Sequence, residues 1–169
     1  MSESYDIQQV CENGHQITDC YNINPEKQKK FCQDCGAATI IACPGCGEGI
    51  QGARIKVSQD WIDARFGRQK MIPEMHADVP SYCLNCGKPY PWTESKIATA
   101  IQILTEFGNL DEKEKETIKQ DINNVAKDTP QAELSAMRIK RIWEKCRMAG
   151  YEIIMEFASR TAAKVLKNP

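Results

Sequence analysis

Aliphatic bulk is what this 169-residue chain is short of: Leu, Ile, Val and Phe together supply 32 residues, about 19 %. That is thin for a self-sufficient core. With a formal net charge of only -1, the shortage points to a supplemented core and not to a disordered, charge-expanded chain. An excess of either charge is missing too, since 22 Lys and Arg face 23 Asp and Glu. The balance excludes a histone-like binder, which needs clustered unpaired positive charge, and it excludes an acidic tail protein. No stretch approaches the roughly 18 consecutive apolar residues of a membrane span. The opening Met1-Ser2-Glu3-Ser4-Tyr5-Asp6 lacks the basic start and apolar run of a secretory leader. A soluble, cytoplasmic protein with no membrane partner is expected.

Cysteine, by contrast, is plentiful, and it is unevenly placed. Residues 1–92 hold eight of the nine cysteines, eight of ten glycines and six of eight prolines. The break falls at Pro89-Tyr90-Pro91-Trp92-Thr93, where two prolines stiffen the chain and Thr93 is placed to cap a helix. Beyond it the periodicity is helical. Ile97, Ile101, Leu104 and Phe107 mark one face of a helix over 94–107, which Gly108-Asn109 would end. Asp111 and Glu114 form a capping box before a second helix with Ile118, Ile122 and Val125 inside. Thr129-Pro130 reads as N-cap and first residue of a third helix, burying Leu134, Met137, Ile142, Trp143 and Cys146. After Gly150 a fourth helix is expected over 151–167, carrying Ile154, Phe157, Ala158, Thr161, Val165 and Leu166. In the first half only short β-prone pieces, Thr39-Ile40-Ile41 and Arg54-Ile55-Lys56-Val57, lie between glycine-rich knuckles. Such a segment needs cross-links in place of a core.

The ligand-type residues fall into four pairs: Cys11 and His15, Cys32 and Cys35, Cys43 and Cys46, Cys83 and Cys86. A CxxC turn aims two sulfurs at one tetrahedral ion, and the glycine after each second cysteine lets the backbone turn beneath them. Four pairs make eight donors, the number that closes two four-coordinate sites. Zinc, two ions per chain, is the expected cofactor, because mixed Cys/His and all-Cys tetrahedra suit it without a redox demand. A rubredoxin-like iron at the all-cysteine site is the alternative. Sequential pairing gives Cys11/His15/Cys32/Cys35 with Cys43/Cys46/Cys83/Cys86. Nested pairing gives Cys32/Cys35/Cys43/Cys46 with Cys11/His15/Cys83/Cys86, and a RING-like crossed pairing is a third possibility. The sequential arrangement is preferred, since Cys11-Glu-Asn-Gly-His15 followed by Phe31-Cys-x-x-Cys-Gly36 looks like one complete ribbon.

The same residues, continued through Thr39-Ile40, Cys43-Pro-x-Cys46, Ile50-x-Gly52 and Tyr82-Cys-x-x-Cys-Gly-Lys-Pro-Tyr-Pro-Trp92, resemble a bacterial family catalogued as domain of unknown function 2321. The resemblance covers the whole chain and implies zinc-ribbon knuckles ahead of a helical tail. It implies no reaction. The expected fold class is small α+β: two zinc-ribbon-like metal knuckle modules over 1–92, then an all-α helical bundle or arm of about four helices over 93–169.

Other candidates each have a plainer reading beside the functional one. Cys20 is an alternative to His15 as a ligand, but a thiol packed near the ribbon is preferred. Cys146 reads as core and His76 as a solvent-facing loop residue. Arg138, Lys140, Arg141, Lys145 and Arg147 gather five positive charges around a single acid, Glu144. They are either a solvated face or a surface for an acidic partner. Trp61, Arg65, Phe66, Arg68 and Lys70 mix aromatics with bases, as stacking platforms for single strands do; the plainer reading has Trp61 and Phe66 closing over the second ribbon. An enzyme needs an open coordination position or an activated nucleophile. The deaminase signature, the nucleophile elbow, the P-loop and the dinucleotide glycine pattern are all missing.

The leading expectation is thus a non-catalytic interaction or adaptor protein. Metal ribbons form its rigid recognition surface, and helices serve docking or self-association into a homo-oligomer. The expected partner is a protein. The alternatives are a nucleic-acid-binding accessory or regulator using the ribbons and Arg138 to Arg147, and a metal-dependent enzyme or effector with an unrecognised site.

Overall fold

The computed structural model describes residues 4–57, 71–107, 110–146, 154–155 and 158–167. The side chains of Val57, Phe107, Lys145, Cys146, Arg160 and Thr161 are outside the description. The expectations for Trp61, Arg65, Phe66, Arg68, Lys70, Gly108, Asn109, Arg147, Gly150 and Phe157, and for the burial of Cys146, therefore lie outside the described residues. The chain folds as two compact units, Met1–Trp92 and Thr93–Pro169.

The first unit is built on two three-stranded antiparallel sheets. One is ordered β1 (Ser4–Ile7), β5 (Gln51–Val57), β6 (Met71–Met75), and the other β3 (Gln16–Thr18), β2 (Gln9–Cys11), β4 (Thr39–Ile40). The expected β-prone pieces become β4 and part of β5. Ser4 pairs with Ile55 and Tyr5 with Arg54, and a bulge before Ile7 shifts the register. Gly52 lies at that shift for a steric reason: a Cβ there would run into the carbonyl of Asp19. The same carbonyl accepts from Ala53 N at 2.8 Å, so the 18–20 segment is strapped to β5. Asp6 closes the strap from the other side, accepting from Asn22 Nδ2 at 2.7 Å and Ile23 N at 3.1 Å.

The apolar cluster of this unit is small: Val10, Ile50, Tyr90 and Trp92, with Cys43 and Cys83. Tyr90 and Trp92 stack with ring centroids 4.7 Å apart. The Trp92 indole N–H donates to the Pro80 carbonyl at 2.9 Å, satisfying its one polar atom.

The helices are α1 (Pro91–Phe107), α2 (Glu112–Lys127), α3 (Ala132–Cys146) and α4 (Arg160–Lys167). α1 opens at Pro91 and not at a Thr93 cap, because a proline's fixed φ suits the first helical position. α2 begins as expected, with Asp111 and Glu114 exchanging both capping-box bonds, 2.7 and 2.9 Å. α3 starts two residues after Pro130, following a turn in which Ala132 N donates to Thr129 O at 2.9 Å.

Its inner face also differs from expectation. Ala132, Ser135, Ala136, Ile139 and Trp143 are buried, whereas Leu134 and Met137 are 50 % and 57 % exposed. Small residues at 132, 135 and 136 let α3 approach α2 closely, and that rotates the bulky Leu134 and Met137 outward. Of the expected 151–167, the described residues show a helix over Arg160–Lys167 with Ile154 and Met155 helical ahead of it. At Ser159 the backbone N–H turns aside to Val125 O at 2.9 Å, while its Oγ accepts from Ala162 N at 3.3 Å as an N-cap would. Ser159 therefore ends one hydrogen-bonding pattern and starts the next. The core joins Ala100 and Leu104 of α1, Ile118, Ile122 and Val125 of α2, Ala136, Ile139 and Trp143 of α3, and Ile154, Ala162 and Leu166. Among the described residues no helix is long and apolar enough to cross a membrane.

Candidate metal centres

Three turns of the first unit have one backbone design. Cys32 N donates to Ala37 O, Cys43 N to Glu48 O and Cys83 N to Lys88 O, at 2.9, 2.7 and 2.9 Å. Within each turn the glycine N–H returns to the carbonyl of the first cysteine: Gly36 to Cys32, Gly47 to Cys43, Gly87 to Cys83. These glycines have φ of +71°, +77° and +68°, a left-handed conformation costly for other residues. Bridges between Phe31 and Ala38, Ala42 and Gly49, and Tyr82 and Pro89 clamp the ends. Cys11 and His15 occupy a fourth, related turn, with Gly14 at φ +89° and Cys11 N donating to His15 O at 3.0 Å.

The turns bring the eight residues together as Cys11, His15, Cys32 and Cys35, and as Cys43, Cys46, Cys83 and Cys86; in each group the donor atoms lie within 4.8 Å of one another. The grouping is sequential; the nested and crossed pairings are not formed. In the first group Cys11 Sγ lies 3.7 Å from Cys35 Sγ, and Cys32 Sγ 3.6 Å from His15 Nδ1. In the second, Cys43 is 3.7 Å from Cys86 and Cys46 is 3.6 Å from Cys83, sulfur to sulfur. A disulfide would need about 2.05 Å. Around a tetrahedral ion with metal–sulfur bonds of about 2.3 Å, sulfurs sit roughly 3.8 Å apart, and a nitrogen slightly nearer. Both groups fit such an ion.

The surroundings act on the thiols in both directions: N–H groups lower Cys35 and Cys83, while burial raises Cys11, and burial with the neighbouring cysteines raises Cys86. His15 N approaches Cys11 Sγ at 3.2 Å, Gly45 N approaches Cys43 Sγ at 3.4 Å, and Asn85 Nδ2 approaches Cys46 Sγ at 3.7 Å. The Ala37 N–H, with Asn13 and His15 adding, pulls the Cys35 thiol down to about 6. The Cys86 and Asn85 N–H groups do the same for Cys83, also to about 6. Burial, then the charge and hydrogen bond of Cys83, hold the Tyr90 hydroxyl above its ordinary range. It stays protonated beside the sulfur.

Cys20 is elsewhere. It is buried, its N–H donates to Thr18 Oγ1 at 3.2 Å, and burial followed by the neighbouring Asp19 pushes its thiol up to about 11. His76 is exposed as expected, but its Nδ1 lies 2.6 Å from Asp19 Oδ2. Nothing local in the sequence pairs residues 57 apart, so this contact is not legible there. On α3, Arg138 reaches Asp121 at 3.3 Å and Lys140 reaches Glu144 at 3.9 Å, so part of the basic face is neutralised within the helical unit.

Two four-donor knuckle clusters on small antiparallel sheets, ahead of a helical unit, place the chain among small α+β proteins with paired sites able to hold metal. It belongs to the bacterial family described as an uncharacterized protein conserved in bacteria, domain of unknown function 2321, whose model matches residues 4–166. No curated protein and no solved structure matches the chain.

Proposed function

We propose that the chain is a zinc-binding, non-catalytic interaction protein of the cytoplasm, holding two zinc ions in structural roles. The observation that carries this reading is the donor count: each cluster gathers four protein donors at tetrahedral spacing, which leaves no position open for water or substrate. Zinc suits equally a tetrahedron of three cysteines with one histidine and a tetrahedron of cysteines alone, and it places no redox demand on either. The ions fix a rigid surface of knuckles, and the helical unit, with Leu134 and Met137 exposed on α3, serves docking or self-association.

Elemental analysis and native mass spectrometry test the metal, with two zinc equivalents per chain expected and one or fewer overturning the reading. X-ray absorption tests the non-catalytic part. Four protein donors at each ion are expected, and three with a bound water at either would turn the reading towards an enzyme.

A further inference from the structure

Phe31 precedes the metal-site residue Cys32 and is 64 % exposed. A single exposed aromatic is ordinary; its surroundings here are not. Two surface hollows meet beside it, sharing Lys29. One, about 490 Å³, is lined by Phe31, Lys27, Lys29 and Gln33. The other, about 710 Å³, is lined by Tyr21, Gln28, Lys29 and Lys30. Lys27, Lys29 and Lys30 are exposed, and among the described residues none has an ion-pair partner. Glu26 and Asp34 also line the first hollow, so the surface keeps one positive charge in excess.

The backbone beneath is held with unusual care. The buried Gln9 amide makes both bonds to Lys29, donating to its carbonyl at 2.7 Å and accepting from its N–H at 3.0 Å. Thr39 Oγ1 donates to the same carbonyl at 2.6 Å, and Phe31 is bridged to Ala38. A flexible lysine-rich loop would need none of this, whereas a surface that must present a ring and ammonium groups in fixed register does.

We propose that this surface binds single-stranded nucleic acid, with Phe31 stacking on a base and Lys27, Lys29 and Lys30 meeting the phosphates. The inference rests on the zinc reading above, because the segment runs directly into the first metal centre. A single strand alternates π-faces with phosphates, which matches a ring beside lysines. A duplex hides its base faces, and among the described residues this surface carries only the three-residue 3-10 turn Pro25–Lys27, too short to enter a groove. The small charge excess sets the expectation of weak, salt-sensitive binding.

The test is fluorescence anisotropy of a labelled twelve-nucleotide oligothymidine with the zinc-loaded full chain. About three phosphate contacts give a log–log salt slope near −2, a loss on the order of 20-fold between 50 and 200 mM salt. Phe31→Ala should weaken binding at least fivefold and Phe31→Trp should restore it. Lys27→Gln, Lys29→Gln and Lys30→Gln combined should flatten the salt slope. Zinc is measured on every variant: two equivalents in Phe31→Ala with lost binding supports the surface, and wild-type binding by Phe31→Ala overturns it. Equal binding of a duplex, or equal competition by an acidic peptide, overturns it too. Full-length protein that binds no zinc would overturn the metal reading, whereas two zinc equivalents with no oligothymidine binding would overturn this surface alone.

Discussion

The two units of this chain reach a folded state by different means. The helical unit buries isoleucines, leucines and a tryptophan against one another across its helices. Among the described residues the first unit's cluster buries four apolar side chains and two cysteines of its second candidate metal cluster, with Ile40 and Val79 packed against them. Yet the first unit carries the more elaborate backbone, with bulged strands, three turns of one design and buried Gln8 and Gln9 satisfied by their amides. With the proposed ions bound, coordination replaces apolar area there. A few donors with fixed geometry specify the structure that a larger core would otherwise specify.

The comparison is broken most forcefully by removing the metal. Structural zinc contributes on the order of 10 kcal/mol per site, comparable with the whole stability of a small domain. Chelation should open residues 1–92 to proteolysis while helical circular dichroism largely persists. Simultaneous loss of the helical signal would show one cooperative unit in place of two.

Next in size is a single site. His15→Ala should remove about one zinc equivalent and disorder the first module, since three thiolates leave a position open. Cys20→Ser should leave two equivalents. Metal lost with Cys20 and kept without His15 would reverse the assignment.

On the helical side, Ile122→Ala should cost about 2–5 kcal/mol, the range for emptying a core isoleucine site. Leu134→Ala should cost under about 0.5 kcal/mol, as for surface changes. Both should keep two zinc equivalents, and denaturant titrations with metal analysis would read out each.

The smallest effect is electrostatic. Lys115, 2.7 Å away, holds the Glu112 carboxyl below its ordinary value. A group whose folded value is lowered contributes stability above its unfolded value, near 4.5, and loses it as pH falls through the folded one. Wild type and Glu112→Gln should therefore differ slightly near neutral pH and converge in acid, once the pH lies below the folded value. A gap that widens in acid would show the pair has another role.

The sequence makes some of these features plain and hides others for definable reasons. The donor residues are readable because CxxCG encodes its own turn. How the pairs combine is less so, since each knuckle is locally the same, and the choice depends on how β2 and β4 pair. The capping box of α2 is readable as a two-residue reciprocal bond. The inward face of α3 is misleading because hydrophobicity favours Leu134 and Met137, while the close approach of α2 selects Ala132, Ser135 and Ala136. Ahead of the last helix the Ser159 N–H bonds to Val125 O, a partner far along the chain that no local pattern reports.

The likeness of the three knuckles also bears on how the chain reaches its metal-loaded state. Only seven residues separate Cys35 from Cys43, against 36 between Cys46 and Cys83. For flexible chains the longer closure costs about 1.4 kcal/mol more. An unfolded chain offered a metal ion would therefore close Cys32, Cys35, Cys43 and Cys46 around it sooner than it gathers Cys83 and Cys86, and the grouping seen in the fold, in which Cys43 and Cys46 meet Cys83 and Cys86, would follow by exchange of ligands.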